Sequence, residues 1–403
     1  MSSDEPRSVR PLTKRAELVD FAARLEGVDA IAFDTEFHAE QTYWPKVMLL
    51  QFASEREAVL VDPLAPEIKS SLGGFLEMLK MRRQVLVGHA LERDLEIFQR
   101  LNGGLPARIF DTQVAAAMVG RGGPIGLGAL LEAELGVEVD KLYSRADWGK
   151  RPLPDAQARY ALEDVTHLLA LRARLAEALE ARGRTAWFEQ EMARALDPDR
   201  YHPLAPEQAW RRVGRKPAPG TRAAQILVSV AAERERVAQE EDRPPRRILP
   251  DDVLVDLARR APTTTKALDA QTSRRPAPNL ARYADRWVEA IRTGAEAAIQ
   301  PAPPVDVVDD DHRGALDLAR LVAQHAARAA GVAPWLLPNL DGPFLAVLSE
   351  PPASQAKLVE RLELDGWRAE LLGPPLWALI GERQPVSLWS DGAGLHLPTP
   401  SSP

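Results

Sequence analysis

Short apolar runs of the kind that make buried strands lie between residues 29 and 87 of this chain, and none follows Pro206 until the last few positions. The runs are DAIAFD (29–34), VMLLQFA (47–53), AVLVD (58–62) and VLV (85–87). Runs of that length and composition read as strands buried on both faces. The first three follow one another closely, which predicts an antiparallel meander. Ile68, Leu72, Phe75, Leu76 and Leu79 keep helical spacing and predict a helix over 67–80. Further helices fit 92–101, 111–119, 126–135 and 155–182. Beyond residue 206 the periodicity is helical throughout, over 206–214, 221–240, 250–260, 263–271, 279–299, 312–330 and 353–364. The expected architecture is a mixed sheet with flanking helices, in the α/β or α+β class, followed by two small all-helical bundles.

Proline supplies the punctuation. The 34 prolines cluster at 198–206, 217–219 and 301–304, the last group followed by Asp309, Asp310 and Asp311. These breaks predict a first domain over 1–205, a second over 206–300, a linker over 301–311 and a third domain over 312–403. The closing PTPSSP reads as a disordered tail. The absence of cysteine excludes disulfides, thiolate zinc sites and a cysteine nucleophile. No apolar run approaches the ~18–20 residues of a membrane helix, and MSSDEPRSVR at the start carries no signal-like core. A cytoplasmic protein with no membrane partner is expected. The net charge of −7 argues against a nucleic-acid partner, but it averages blocks of −6 (1–206), +5 (207–300) and −6 (301–403). The middle block alone has the basic character that a phosphate backbone attracts.

Four carboxylates could carry chemistry. Asp34 and Glu36 end the strand 29–34, and positions two apart on a strand share a face. Two acids held together beside a buried strand repel each other unless a cation lies between them. Asp94 lies on the helix predicted after 85–87. Tyr160 and Asp164, in RYALEDVTHLL, are four apart on a helix whose Ala161, Leu162, Val165, Leu168 and Leu169 mark it as largely buried. An acid on such a helix needs a base or a metal. Glu163 points elsewhere and reads as solvated. All-oxygen donors suit Mg²⁺ or Mn²⁺ rather than zinc. Two such ions ~3.5–4 Å apart would clamp an in-line phosphoryl displacement, with the Tyr160 hydroxyl placed to orient a water.

The segments IAFDTEF, HALERDLEIF, FDTQVAAAMVG, DWGKRPL and YALEDVTHLL resemble, in this order over residues 12–200, the ribonuclease D family of DEDDy 3′-to-5′ exoribonucleases, which have a ribonuclease H-like fold. The resemblance implies that Asp34, Glu36 and Asp164 hold the ion that activates water. It implies that Asp34 and Asp94 hold a second near the leaving 3′ oxygen, and that Tyr160 positions the nucleophile. It further implies release of nucleoside 5′-monophosphates from RNA, with tRNA precursors as substrates. Gly88 departs from the family pattern, where a bulkier apolar residue is expected before His89.

Residues 207–300 resemble the HRDC domain, a helical nucleic-acid-binding module, through EQAWRRVGR, ILVSVAAERERVAQ and RRILPDDVLVDLARRAP. Alanine near Ala231 and Ala232 replaces the usual tryptophan. Residues 312–385 resemble a divergent second HRDC-like domain through LDGWRAELLGPPLWALIGE. RNA contacts are sought at Tyr43 and Trp44, by stacking on a base, with packing beneath the active site as the equal alternative, and at His89, although backbone hydrogen bonding is the more ordinary role for that histidine. Lys141, Arg145, Lys150 and Arg151 form a basic loop. Arg211, Arg212, Arg215 and Lys216, with Arg246, Arg247, Arg259 and Arg260, lie in the basic block. Asp111 reads as a helix N-cap. The expected protein is a monomeric, metal-dependent exoribonuclease. Its rivals are a DNA exonuclease of the same fold and a catalytically inactive RNA-binding adaptor.

Overall fold

A computed structural model describes residues 10–82, 84–139, 143, 146–272, 278–299, 310–382, 389–390 and 395–396. They form two compact units: Met1–Glu36, Met48–Tyr201 and Asp306–Pro403 make one, and Phe37–Val47 with His202–Val305 the other.

The first unit is built on five strands: β1 (Ala30–His38), β2 (Lys46–Ala53), β3 (Ala58–Val61), β4 (Val85–Gly88) and β5 (Ile109–Asp111). Their order across the sheet is β3-β2-β1-β4-β5, so the strand carrying Asp34 and Glu36 is central. β2 and β3 pair antiparallel with Gln51 opposite Leu60, whereas β1, β4 and β5 run parallel, with Ile31 opposite Leu86 and Val87 opposite Phe110. The runs read from the sequence form these strands because both faces are covered: Ile31, Ala32, Leu49, Phe52, Val61 and Val87 are fully buried. On one face Phe21, Phe33, Phe52 and Phe75 pack with ring centroids 5.2–6.0 Å apart.

Helices α1 (Arg15–Arg24), α2 (Pro66–Met81), α3 (Glu92–Asn102), α4 (Thr112–Met118), α5 (Leu127–Leu135), α6 (Asp155–Thr166), α7 (Leu168–Ala181) and α8 (Thr185–Ala195) surround the sheet. The single helix expected over 155–182 is two. Thr166 Oγ1 donates to the Leu162 carbonyl at 2.6 Å, a bond that competes with the helix ladder. His167, at φ −100°, ψ −4°, separates the two helices.

In the other unit lie α9 (Arg222–Glu240), α10 (Pro245–Ile248), α11 (Asp251–Arg260), α12 (Thr265–Thr272), α13 (Pro278–Arg282) and α14 (Ala284–Glu296). The segment expected as a helix over 206–214 is a 3-10 turn, Pro206–Arg212, and the helix expected over 279–299 breaks at Tyr283 into α13 and α14. Ala231 and Ala232 are buried on α9, and the large core aromatic is instead Trp287, fully buried on α14. Buried Arg234 pairs with Asp251 at 2.7 Å and donates to the Leu249 carbonyl.

The last helices, α15 (Asp310–Ala329), α16 (Asp341–Ser349), α17 (Gln355–Arg361) and α18 (Gly366–Ile380), pack around Phe344, Leu358, Leu372 and Leu376 and belong to the first unit. Trp367 of α18 stacks on Trp187 of α8 at 5.4 Å. Among the described residues no helix is long and apolar enough to cross a membrane. The linker and tail expected over 301–311 and the final residues fall largely outside the described residues.

Candidate active site

The second half of β1 and helix α6 bring three carboxylates together. One oxygen each from Asp34, Glu36 and Asp164 lies within 4.8 Å of the others. The pleat turns Asp34 and Glu36 to one side, and α6 delivers Asp164 to them. The three side chains keep some surface open to solvent, as a site that exchanges ligands requires. Their proximity is electrostatically unfavourable. Burial and the Asp164 charge push Asp34 up to about 8. Burial and the charges of Asp34, Asp164 and Asp94 push Glu36 up to about 9. Burial and neighbouring Glu163 raise Asp164 to about 7. A divalent cation removes this repulsion, and hard carboxylate oxygens are its preferred donors, so the residues present fit such an ion.

Asp94, on the first turn of α3, is fully enclosed, and burial followed by the Asp34 charge raises its pKa. It is outside the set of three; its Oδ1 accepts the Thr35 hydroxyl at 2.5 Å. The chain leading to it is clasped by Asp111. This carboxylate accepts the amides of Ala90 (3.1 Å) and Leu91 (2.8 Å), and as N-cap of α4 also those of Gln113 and Val114. Gly88 is closely approached here: a Cβ would meet Leu91 Cδ2 at 2.2 Å and the Phe33 carbonyl at 3.0 Å. The bulkier residue expected at this position would displace the Leu91 side chain.

Tyr160 is half-buried one turn before Asp164, flanked by Tyr143 and Trp148 at 6.0 and 6.1 Å. Trp148 comes from the DWGKRPL segment and is itself buried. Arg151 of that segment forks onto Asp62, Nε to Oδ2 at 2.6 Å and Nη2 to Oδ1 at 2.8 Å, and also donates to the Met48 carbonyl. Its donors are therefore spent on the fold. Lys141 and Arg145 lie outside the described residues. His89 bridges the Thr112 hydroxyl and the Ile125 carbonyl, both at 2.9 Å, and burial lowers its pKa.

Tyr43 is partly buried against the core around Trp287. Its hydroxyl donates to Glu235 at 2.5 Å and accepts from Gln239 at 3.1 Å, and the Trp44 amide donates to Asp242. The segment Phe37–Val47 thus packs on α9. Arg211 and Arg212 close the 3-10 turn and Arg215 and Lys216 follow it, all four exposed, with Lys216 Nζ donating to the Arg211 carbonyl and lying over Trp210. Arg246 pairs with Asp251 and Arg260 with Asp256. Thr35 and Asp111 were not singled out as supports of Asp94; their partners are remote in sequence, so spacing gives no signal.

A mixed sheet whose central strand ends in two converging acids, joined by a third from a helix, defines a 3′-to-5′ exonuclease. Residues 9–180 match the 3′-5′ exonuclease family and residues 224–291 the HRDC domain. Ribonuclease D of Sphingobium indicum is 36% identical over 375 residues, covering 91% of this chain and 93% of its own. That of Gluconacetobacter diazotrophicus is 40% identical over 257 residues, 64% of each chain. The crystal structure of Escherichia coli RNase D, described as an exoribonuclease involved in structured RNA processing, superposes with a TM-score of 0.77 at 26% identity, covering 93% of this chain and 99% of that one. The chain belongs to the ribonuclease D family, and it is a metal-dependent 3′-to-5′ exoribonuclease that binds RNA.

Proposed function

We propose that Asp34, Glu36 and Asp164 hold one Mg²⁺ or Mn²⁺ ion, that Asp34 and Asp94 hold a second, and that Tyr160 orients the attacking water. Convergence of two acids of β1 with one of α6 is the observation that carries this reading. Bound ions supply charge neutralisation for the phosphoryl group and a hydroxide-like water at neutral pH. The protein's part is positional. β1 fixes Asp34 and Glu36, α6 sets Asp164 and Tyr160 one turn apart, and Trp148 and Tyr143 restrict the Tyr160 ring. Water adds to the terminal phosphorus, the 3′ oxygen of the preceding nucleotide leaves with a proton, and a nucleoside 5′-monophosphate is released.

The natural substrates on this reading are tRNA precursors with 3′ extensions, handled by a cytoplasmic monomer. The structured-RNA role of the Escherichia coli relative supports that choice. Exposed Arg211, Arg212 and Arg215 of the basic block are suited to phosphates without sequence readout. The test is release of mononucleotides from a 3′-tailed tRNA and from matched RNA and DNA oligonucleotides, with and without Mn²⁺. Wild type releases mononucleotides from RNA only with the ion, and Asp34→Asn binds RNA without turning it over. Faster DNA than RNA hydrolysis, or no ion-dependent release, would overturn the reading.

A further inference from the structure

Asp94 stands apart from the three converging acids, and its carboxyl is held from the other side of β1. Thr35 falls between Asp34 and Glu36, so the pleat turns it to the opposite face from both. Thr35 and Asp94 are each only 6% exposed, and the 2.5 Å bond joins Oγ1 to Oδ1. Asp111 fixes the backbone leading into α3 through the amides of Ala90 and Leu91, but it does not touch the Asp94 side chain's Oδ1. The carboxyl is therefore oriented by Thr35 together with its own backbone amide, and Thr35 is its side-chain partner. A β-branched residue in a strand has few χ1 options, so its hydroxyl is well placed for that task. A hydroxyl bond to a carboxylate is charge-assisted and stronger than a neutral one.

We propose that Thr35 is a positioning residue for the second ion: it holds Asp94 by Oδ1 and leaves Oδ2 for a divalent cation shared with Asp34. This rests on the two-ion reading above. It also gives the middle residue of the Asp-Thr-Glu segment a separate task. One strand end serves both ion sites, Asp34 and Glu36 from one face and Thr35, through Asp94, from the other.

The test is Mn²⁺ titration of RNA-free protein, counting ions by the loss of the free-ion electron paramagnetic resonance signal and by calorimetry. Wild type takes two ions. Thr35→Val, matched in shape but lacking the hydroxyl, keeps the first at wild-type affinity and weakens the second ~10–100-fold, the effect of losing a hydrogen-bond partner behind a metal ligand. Thr35→Ser restores it, and Thr35→Val combined with Asp94→Asn binds like Asp94→Asn alone. If the valine variant fails to fold, Thr35→Ala gives the same comparison. Two ions bound normally by the hydroxyl-free variant, or both weakened equally, would overturn the role of Thr35 alone. A wild type that takes one ion would overturn the two-ion reading, and the role with it, before any variant is made.

Discussion

Arg368 grips Glu191 with both arms of its guanidinium, Nη2 to Oε2 at 2.9 Å and Nη1 to Oε1, and the two side chains are 8% and 11% exposed. The same guanidinium donates to the Leu336 carbonyl, and Trp367 Nε1 donates to Glu191 at 2.8 Å. Removing one partner of a buried pair strands the other charge, at about 3–5 kcal/mol. Arg368→Ala is expected to lose stability in that range by urea denaturation. Arg368→Lys should recover only part of it, because an ammonium cannot span both oxygens. A change below ~1 kcal/mol for alanine, the size of an exposed pair, would contradict the assignment.

Tyr43→Phe separates packing from base stacking. It keeps the ring and removes the hydroxyl that Glu235 accepts, leaving a buried acceptor short of a donor, a loss of about 1–3 kcal/mol. The expected outcome is a lower thermal midpoint with an unchanged KM for RNA oligonucleotides. A raised KM at unchanged stability would favour contact with substrate.

Gly88→Ala places a methyl against Leu91 and the Phe33 carbonyl at the strand end that leads to Asp94. Overpacking of this kind costs about 1–3 kcal/mol. Because relief displaces the Leu91 side chain at the start of α3, ion-dependent turnover should fall as well. Alanine tolerated with full stability and turnover would show that the turn has room.

The raised carboxyls fix the direction of a pH effect. With no ion bound, the folded values of Asp164, Asp34 and Glu36, about 7, 8 and 9, exceed the ordinary carboxyl values of about 4. Their contribution to stability is complete below the unfolded values and is lost as pH rises through the folded ones. In chelator the thermal midpoint should therefore fall on going from about pH 5 to about pH 9. Mn²⁺ should raise it more at about pH 8 than at about pH 6, since binding displaces fewer protons there. A chelated protein that gains stability from this region as pH rises would contradict the electrostatics; Asp34→Asn isolates the contribution.

Much of this was legible in the sequence because it is local. Four apolar runs became β1 to β4, and the two-residue spacing set Asp34 and Glu36 on one face of β1, whereas Asp164 joins them only through the fold. β5, three residues long, was read as the start of a helix, since Asp111 both ends the strand and caps α4. The break at His167 depends on a side-chain bond that periodicity does not register. Helix α18 contains Pro374 and Pro375, which argue against a helix in any local reading. Contacts across long stretches of chain were beyond spacing altogether. Thr35 meets Asp94 and Tyr43 meets Glu235 only once the fold exists.

The placement of Phe37–Val47 with His202–Val305 has a consequence for dissecting the protein. The chain passes between its compact units after Glu36, Val47, Tyr201 and Val305, so no single cut frees one from the other. A fragment ending near residue 205 would retain Tyr43 without Glu235 and Gln239, immediately downstream of β1. A graft that exchanged the helical module for a foreign one would have to carry the 37–47 segment with it. Inheritance of the two parts is thus joint: substitutions on α9 at positions 235 and 239 are constrained by a tyrosine encoded nearly two hundred residues earlier.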